Sequence, residues 1–201
     1  MRPWGNGGEG WWGIAFAALL LVVGGMVSVP TADDPAAKIV AFYAANASIV
    51  IAAQVGGIVA LLPLVLFVRA LAHRAPDPSS ARRLIAVLVL VVIAELATNV
   101  PPLVLALTSP SGSAAHAWTV AGDLADAALF ASLGLLALAA IPGQASWLRW
   151  FGVAVAALAF VRAVGSPLGF TALDAIAPIA FLAFVVALSV QMLRVRPAEV
   201  A

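Results

Sequence analysis

Six long apolar stretches, separated by short polar segments, dominate the pattern of the chain. They cover approximately residues 11–29, 48–70, 84–107, 118–141, 147–165 and 173–193. An α-helix needs about 20 apolar residues to cross the roughly 30 Å hydrocarbon core of a bilayer. The pattern therefore predicts an all-α fold, in which residues 1–201 form a single domain of six transmembrane helices. We expect the first stretch to be a retained helix, because it is longer than the core of a signal peptide.

The second predicted helix is much longer than one membrane crossing. The residues Asp33-Asp34-Pro35 are typical of a helix start. The helical pattern continues from there to His73. Such a helix is roughly 58 Å long at 1.5 Å per residue. We therefore predict an outer helical extension before span two that projects, lies in the interface or bends, with Gly56, Gly57 and Pro63 as the expected bend points.

Basic residues fall in alternate connections and so predict the orientation. Those expected on one side are Arg2, Arg69, His73, Arg74, Arg82, Arg83, Arg149, Arg194 and Arg196. The connections on the other side contain Lys38 beside two aspartates. Cytoplasmic loops of membrane proteins are enriched in Lys and Arg, so both termini are expected to be cytoplasmic.

Composition supports a membrane protein and excludes several other classes. Apolar residues make up 64% of the chain and charged residues 9%, whereas soluble domains carry about a quarter charged residues. The basic residues do not gather in a stripe, so nucleic acid is not an expected partner. The chain has no cysteine, which excludes disulfides and thiolate metal sites. Nine Arg against one Lys is typical of GC-rich bacteria, so the expected location is a bacterial inner membrane.

Two carboxylates interrupt the fourth apolar stretch. Asp123 and Asp126 are three residues apart, so on a helix they share one face. A charged group facing lipid near the bilayer centre costs several kcal/mol. This face is therefore predicted to point towards protein or water inside the bundle.

Other polar residues are expected at a similar depth on neighbouring helices: Glu95 and Asn99 on span three, Gln54 on span two and Arg162 on span five. Arg162 is predicted to pair with Asp126 or Asp123, because guanidinium–carboxylate contacts are strong. One Arg cannot neutralise three acids, so the remaining carboxyls, Glu95 above all, must be protonated or hydrated. We predict that these six residues form a site for a ligand or for protons.

A structural role and a catalytic role are the alternatives. Polar groups between membrane helices can simply hold a bundle together, at about 0.6 kcal/mol per hydrogen bond. Catalysis has less support, because His73 and His116 are expected on opposite sides and acids alone are poor zinc ligands. No metal site and no cofactor are therefore predicted, and no motif of a known enzyme class occurs in a usable context.

Three stretches resemble small bacterial six-helix membrane proteins of the DUF4386-like family. They are Asp34-Pro35 through Arg69, the segment Trp118–Leu129 with its aspartate pair, and Ser146-Trp147-Leu148-Arg149-Trp150-Phe151-Gly152. The resemblance implies a six-helix integral membrane protein. It implies no activity, cofactor or substrate, because the function of that family is unknown, and it assigns no functional residues.

These observations lead to three functional hypotheses. The first is an outward-facing intramembrane pocket that binds a small ligand, a cation or a lipid headgroup, with proton-linked transport as its extension. The second is a non-catalytic accessory subunit or scaffold whose polar cluster is structural, and the third is an intramembrane enzyme. The expected partners are the lipid bilayer, a small ligand or lipid, and a second copy of the chain or another membrane protein.

Overall fold

The computed structural model describes residues 8–108, 110–168, 170 and 172–194, and all regular structure in them is helical. The described residues form six α-helices: α1 (Trp11–Gly24), α2 (Ala36–His73), α3 (Pro78–Thr108), α4 (Gly112–Ala140), α5 (Ser146–Gly165) and α6 (Ile176–Arg194). Short 3-10 turns occupy Gly8–Gly10 and Ser166–Leu168. The predicted all-α fold is confirmed. Helices α2 to α6 are long and apolar enough to cross a membrane.

The first helix is shorter than predicted. Helix α1 has 14 residues and ends at Gly24, not near residue 29. At 1.5 Å per residue it is about 21 Å long, less than the roughly 30 Å of a hydrocarbon core. The following residues, 25–35, form turns and irregular backbone. Gly24, Gly25 and the ring of Pro30 disfavour continuation of the helix, although the residues between them are apolar except for Ser28.

The long second helix is present, but it bends at a different place than predicted. Helix α2 has 38 residues, and its non-helical backbone conformation lies at Asn46 (φ −121°, ψ 15°). The Asn46 side-chain amide donates to the Phe42 carbonyl oxygen at 2.9 Å. A side chain that bonds to the backbone of the preceding turn competes with the regular helical bonds. Gly56, Gly57 and Pro63 lie within regular helix, so they are not the bend.

Side-chain contacts define two ends of the bundle. At the end that we call the basic end, Arg74 forms an ion pair with Glu9 at 3.0 Å and donates to the Met192 carbonyl oxygen at 3.0 Å. The α4–α5 connection also lies there, because Gly143, with φ of 79°, packs against Pro76. Arg2 and Arg196, which the orientation prediction also uses, lie outside the described residues. The opposite end, which we call the acidic end, contains residues 25–35 and the starts of α2, α4 and α6.

The helices form a closed arrangement around an apolar core. Consecutive helices pack against each other, and α1 contacts both α2 and α6. The largest buried side chains of the core include Leu64, Phe67 and Phe184. Many apolar side chains on the outer surface are exposed, among them Leu62, Ile93, Leu107, Trp147, Trp150 and Val161. An exposed apolar surface on long helices is what lipid contact requires.

Asp77 caps the first turn of α3 at the basic end. Its carboxylate accepts hydrogen bonds from the hydroxyls of Ser79 (2.5 Å) and Ser80 (2.7 Å), and from the backbone N–H groups of both at 2.8 and 2.9 Å. These bonds, that from the Ser79 hydroxyl foremost, hold the pKa of Asp77 well below its ordinary value of 3.8. Pro78 follows as the first helical residue, as is common at helix starts.

Replacement of Asp77 by Ala should lower the thermal stability of the protein at neutral pH, because the first turn of α3 loses its cap. Since the folded state lowers this pKa, the stabilisation is complete above pH 3.8 and declines as the pH falls below it. Melting temperatures across a pH series would measure both effects. Asp77→Ser, which keeps a capping oxygen, is the control. A difference between Asp77→Ala and the natural protein that stayed constant at every pH would contradict the titration argument.

Candidate functional site

A cavity of about 350 Å³ lies near the acidic end, and we call it the polar chamber. Residues of the 25–35 segment, α2, α3, α4, α5 and the connection between α5 and α6 line it. Its lining is Ser28, Val29, Pro30, Thr31, Tyr43, Gln54, Thr98, Pro101, Pro102, Leu105, Thr119, Gly122, Asp123, Asp126, Arg162, Ser166 and Asp174. Ionisable side chains from separate elements therefore meet at one space.

Arg162 is the centre of the charge arrangement. Its Nη1 donates to Asp126 Oδ2 at 2.6 Å, and its Nε lies 3.3 Å from Asp174 Oδ1. The guanidinium carbon lies 3.6 Å from the centre of the Phe130 ring, in cation–π geometry. The structure thus contains the predicted pair between Arg162 and Asp126. Only 8% of Arg162 is exposed, so these neighbours, and not solvent, compensate its positive charge.

Asp123 connects the irregular segment after α1 to helix α4. Its Oδ2 accepts a hydrogen bond from the Ala32 backbone N–H at 2.9 Å. Residues 28–31, immediately before Ala32, line the polar chamber. Irregular backbone at membrane depth is tolerated where it is buried in protein or lines a cavity. The carboxylate of Asp123 therefore fixes the segment that covers the polar chamber.

A second cavity, of about 310 Å³, lies deeper in the bundle, and we call it the apolar chamber. Its lining is Phe16, Leu20, Val23, Gly24, Val27, Val29, Ala53, Gln54, Gly57, Leu61, Leu64, Val91, Glu95, Asn99, Leu129, Phe130, Leu133, Pro178, Phe181 and Leu182. Glu95 and Asn99 are joined on its wall, where Asn99 Nδ2 lies 2.6 Å from the Glu95 carbonyl oxygen and 3.4 Å from Glu95 Oε1. Gly57 leaves space beside Glu95, since a Cβ there would lie 3.3 Å from Glu95 Oε1.

The two chambers share lining residues. Val29 and Gln54 line both. Phe130 lines the apolar chamber, while Arg162, which lines the polar chamber, lies over its ring. The junction between the chambers therefore consists of the Gln54 amide, the Val29 isopropyl group and the Phe130 ring. It places the Arg162 guanidinium next to the apolar chamber.

The six predicted site residues divide between these chambers. Asp123, Asp126 and Arg162 line the polar chamber, Glu95 and Asn99 line the apolar chamber, and Gln54 lines both. Whether they bind a ligand stays a prediction.

Asp174 lines the polar chamber but is not among the six predicted site residues. Thr171-Ala-Leu-Asp174 is typical in sequence of a capping box at the start of the sixth span, and Thr171 lies outside the described residues. Helix α6 instead begins at Ile176, and the Asp174 carboxylate lies beside Arg162. The signal was available, because Arg162 near the end of one span and Asp174 at the start of the next must be close in space.

Neither a metal site nor a related protein defines this site further. Among the described residues, no group of three or more His, Cys, Asp or Glu side chains is placed to hold a metal ion. Comparison of the chain with protein-family models, curated proteins and solved structures finds no match. The resemblance to DUF4386-like proteins therefore stays a hypothesis.

Replacement of Asp123 by Ala should loosen the segment at residues 25–35. A hydrogen bond to a charged group contributes about 1.5 kcal/mol or more, so amide hydrogen exchange in this segment should become about tenfold faster. Hydrogen-exchange mass spectrometry of protein in lipid nanodiscs would measure it. Asp123→Asn keeps an acceptor oxygen and should have a smaller effect. Unchanged exchange in Asp123→Ala would mean that other contacts hold the segment.

Proposed function

We propose that the chain is a multi-pass protein of a bacterial inner membrane whose polar chamber binds a small ligand, a cation or a lipid headgroup. The observation that carries this proposal is the convergence of Asp123, Asp126, Arg162 and Asp174 on a cavity of about 350 Å³. Ligand sites usually occupy clefts of about 300–1,000 Å³ with a few convergent polar groups. Ionisable groups inside a membrane bundle are uncommon and typically functional.

We further propose that six helical segments cross the membrane, with both termini and the basic end in the cytoplasm. Arg69, Arg74, Arg82, Arg83 and Arg149 lie towards that end, which agrees with the enrichment of basic residues in cytoplasmic loops. In this orientation the acidic end and the polar chamber face outward. Helix α1 and the segment after it form the first crossing together, because α1 alone is short.

The absence of cysteine allows a direct test of this orientation. Single substitutions Ser111→Cys at the acidic end and Gln144→Cys at the basic end would be treated with a membrane-impermeant maleimide. In intact spheroplasts Ser111→Cys should be labelled and Gln144→Cys should not, whereas both should react after the membrane is opened. The reverse pattern in intact spheroplasts would overturn the proposed orientation.

Native mass spectrometry of the protein extracted gently from its own membrane would test the binding site. We expect a reproducible additional mass on the natural protein that is lost in Asp126→Asn. Asp33→Asn is the matched control, because Asp33 is an exposed acid at the same end and does not line the chamber. An additional mass that persisted in Asp126→Asn would overturn the named site.

The scaffold hypothesis has one specific observation in its favour. Two carboxylates and an aromatic ring surround Arg162, as in a purely structural ion cluster. A scaffold or accessory subunit should co-purify with a second polypeptide at fixed stoichiometry, and Asp126→Asn should change its stability without removing any bound small molecule. The same mass spectra distinguish the two proposals.

A further inference from the structure

The connection between the chambers restricts what kind of molecule can occupy the site. Val29 and Gln54 line both chambers, and the ring of Phe130 separates the Arg162 guanidinium from the apolar volume. A ligand group bound beside Asp126 is therefore next to a space that an apolar group can fill. A small polar ligand would leave that space empty.

The apolar chamber suits a hydrocarbon chain. Aliphatic and aromatic side chains from α1, α2, α4 and α6 form most of its lining, among them Phe16, Leu61, Leu64, Leu133 and Phe181. Gln54, Glu95 and Asn99 are the polar residues of this lining, and the remaining, predominantly apolar wall is suited to apolar groups. At about 310 Å³ the chamber is large enough for more than a methyl or ethyl group.

The polar chamber favours a positively charged head. Three carboxylates face one guanidinium there, so the acids exceed the bases by two when all are ionised. The hydrogen bonds among the described residues use Oδ2 of Asp123 and Oδ2 of Asp126, which leaves Oδ1 of each for a donor. An ammonium group supplies up to three donors and a compensating charge, whereas an anionic head would be repelled.

Two buried polar atoms of residues that line the polar chamber lack a hydrogen-bond partner. Arg162 Nε and Asp174 Oδ1 are buried without a hydrogen-bond partner, because their mutual approach of 3.3 Å is poorly aligned. Buried polar groups in proteins are nearly always paired with protein, water or ligand. A protonated amine carries only donors, so it can pair with Asp174 Oδ1, which lies on a lining residue of the polar chamber, but not with Arg162 Nε, which is itself a donor.

From these observations we infer that the site takes a single-chain amphiphile, with a protonated amine head in the polar chamber and its hydrocarbon tail in the apolar chamber. This inference rests on the proposed function and specifies its ligand class. The head donates to Asp123 and Asp126, and the tail passes the junction at Gln54 and Val29. Arg162 acts as a positioning residue, since it holds Asp126 and Asp174 at the chamber.

Binding of tritiated decylamine to the purified protein in lipid nanodiscs, with empty nanodiscs subtracted, would test this inference. Competitors separate the contributions of head and tail: methylamine has the head alone, decanol lacks the charge and decanoate carries the opposite charge. Each competitor should bind at least about tenfold more weakly than decylamine, because each lacks one of the two matched parts.

Two matched substitutions on α2 test the tail. Ala53 lines the apolar chamber, whereas Val55 is exposed on the outer face of the same helix. Ala53→Phe should weaken decylamine binding at least about tenfold by filling the chamber, and Val55→Phe should leave it within about twofold. Leu133→Phe, on the opposite wall, replaces Ala53→Phe if the latter does not fold. Asp126→Asn tests the head and should weaken decylamine binding by a similar factor.

The outcomes separate this inference from the broader proposal. If methylamine competes as well as decylamine and both chamber-filling variants bind normally, the tail assignment is wrong while a cation site remains. If decanoate competes equally, the assignment of a cationic head is wrong. If decylamine does not bind at all but the additional mass in native spectra still depends on Asp126, the amphiphile inference is overturned and the proposed pocket stands.

Discussion

Arg162→Gln should lower the melting temperature of the protein by about 10 °C, the largest effect that we expect from a single charge substitution. The guanidinium holds Asp126 at 2.6 Å and lies beside Asp174 and the Phe130 ring. Removing one member of a buried ion pair leaves an uncompensated charge, at a cost on the order of 3 kcal/mol. We use the lower part of the known range because the Asp126 side chain is 33% exposed. For a chain of this size that cost corresponds to about 10 °C.

A double substitution shows whether the remaining charge causes this loss. Arg162→Gln combined with Asp126→Asn removes both partners, so much of the lost stability should return. Arg162→Lys keeps the positive charge but lacks the planar set of donors of the guanidinium, so its melting temperature should be intermediate. Thermal unfolding of all variants in the same nanodiscs provides the comparison. An unchanged melting temperature in Arg162→Gln would mean that the ion pair contributes nothing to stability.

Gly13→Ala should destabilise the packing of α1 by about 1–3 kcal/mol, because a side chain there has no space. A Cβ at Gly13 would overlap the Ser189 hydroxyl oxygen and would lie 2.9 Å from the Phe67 ring. Ser189 cannot move freely, since its hydroxyl donates to the Val185 carbonyl oxygen at 2.7 Å and the residue is fully buried. To make room for the added methyl group, either α1 must move away from α6, or α6 and α2 must shift.

Gly24→Ala, in the same helix, is the control for Gly13→Ala. No atom lies within 4 Å of a Cβ built at Gly24, so the change should be neutral or slightly stabilising through helix propensity. Ser189→Ala combined with Gly13→Ala removes one of the two overlaps and should restore part of the stability. Equal unfolding temperatures for Gly13→Ala and Gly24→Ala would contradict the predicted close contact between α1 and α6.

Hydropathy predicts long membrane helices well because length and apolar composition alone decide whether a segment can cross a bilayer. It therefore located α2 to α6 to within several residues at most boundaries. It did not locate the end of α1, because residues 26–29 remain apolar apart from Ser28 while their backbone is not α-helical. The bend at Asn46 depends on one side-chain hydrogen bond, to which hydropathy is insensitive.

The candidate site was predictable in part for a different reason. Polar residues at similar depth on adjacent helices must avoid lipid, so Arg162 and Asp126 could be expected to meet. Helix periodicity says nothing about residues in connections, and Asp174 and Thr31 reach the polar chamber from connections. The division into two chambers depends on how side chains such as Phe130 fill the interior, which no local pattern encodes.

The contact between α1 and α6 has a consequence for biogenesis. Helix α1 packs against α6, so these helices cannot close into the observed bundle until α6 has been synthesised. Membrane helices insert individually before they associate, and α1 therefore lacks this neighbour until α6 follows. Chains that stop before α6 should insert but remain open, without the wall that Phe181 and Leu182 provide. Quality-control proteases would therefore encounter such truncated chains as incompletely packed bundles.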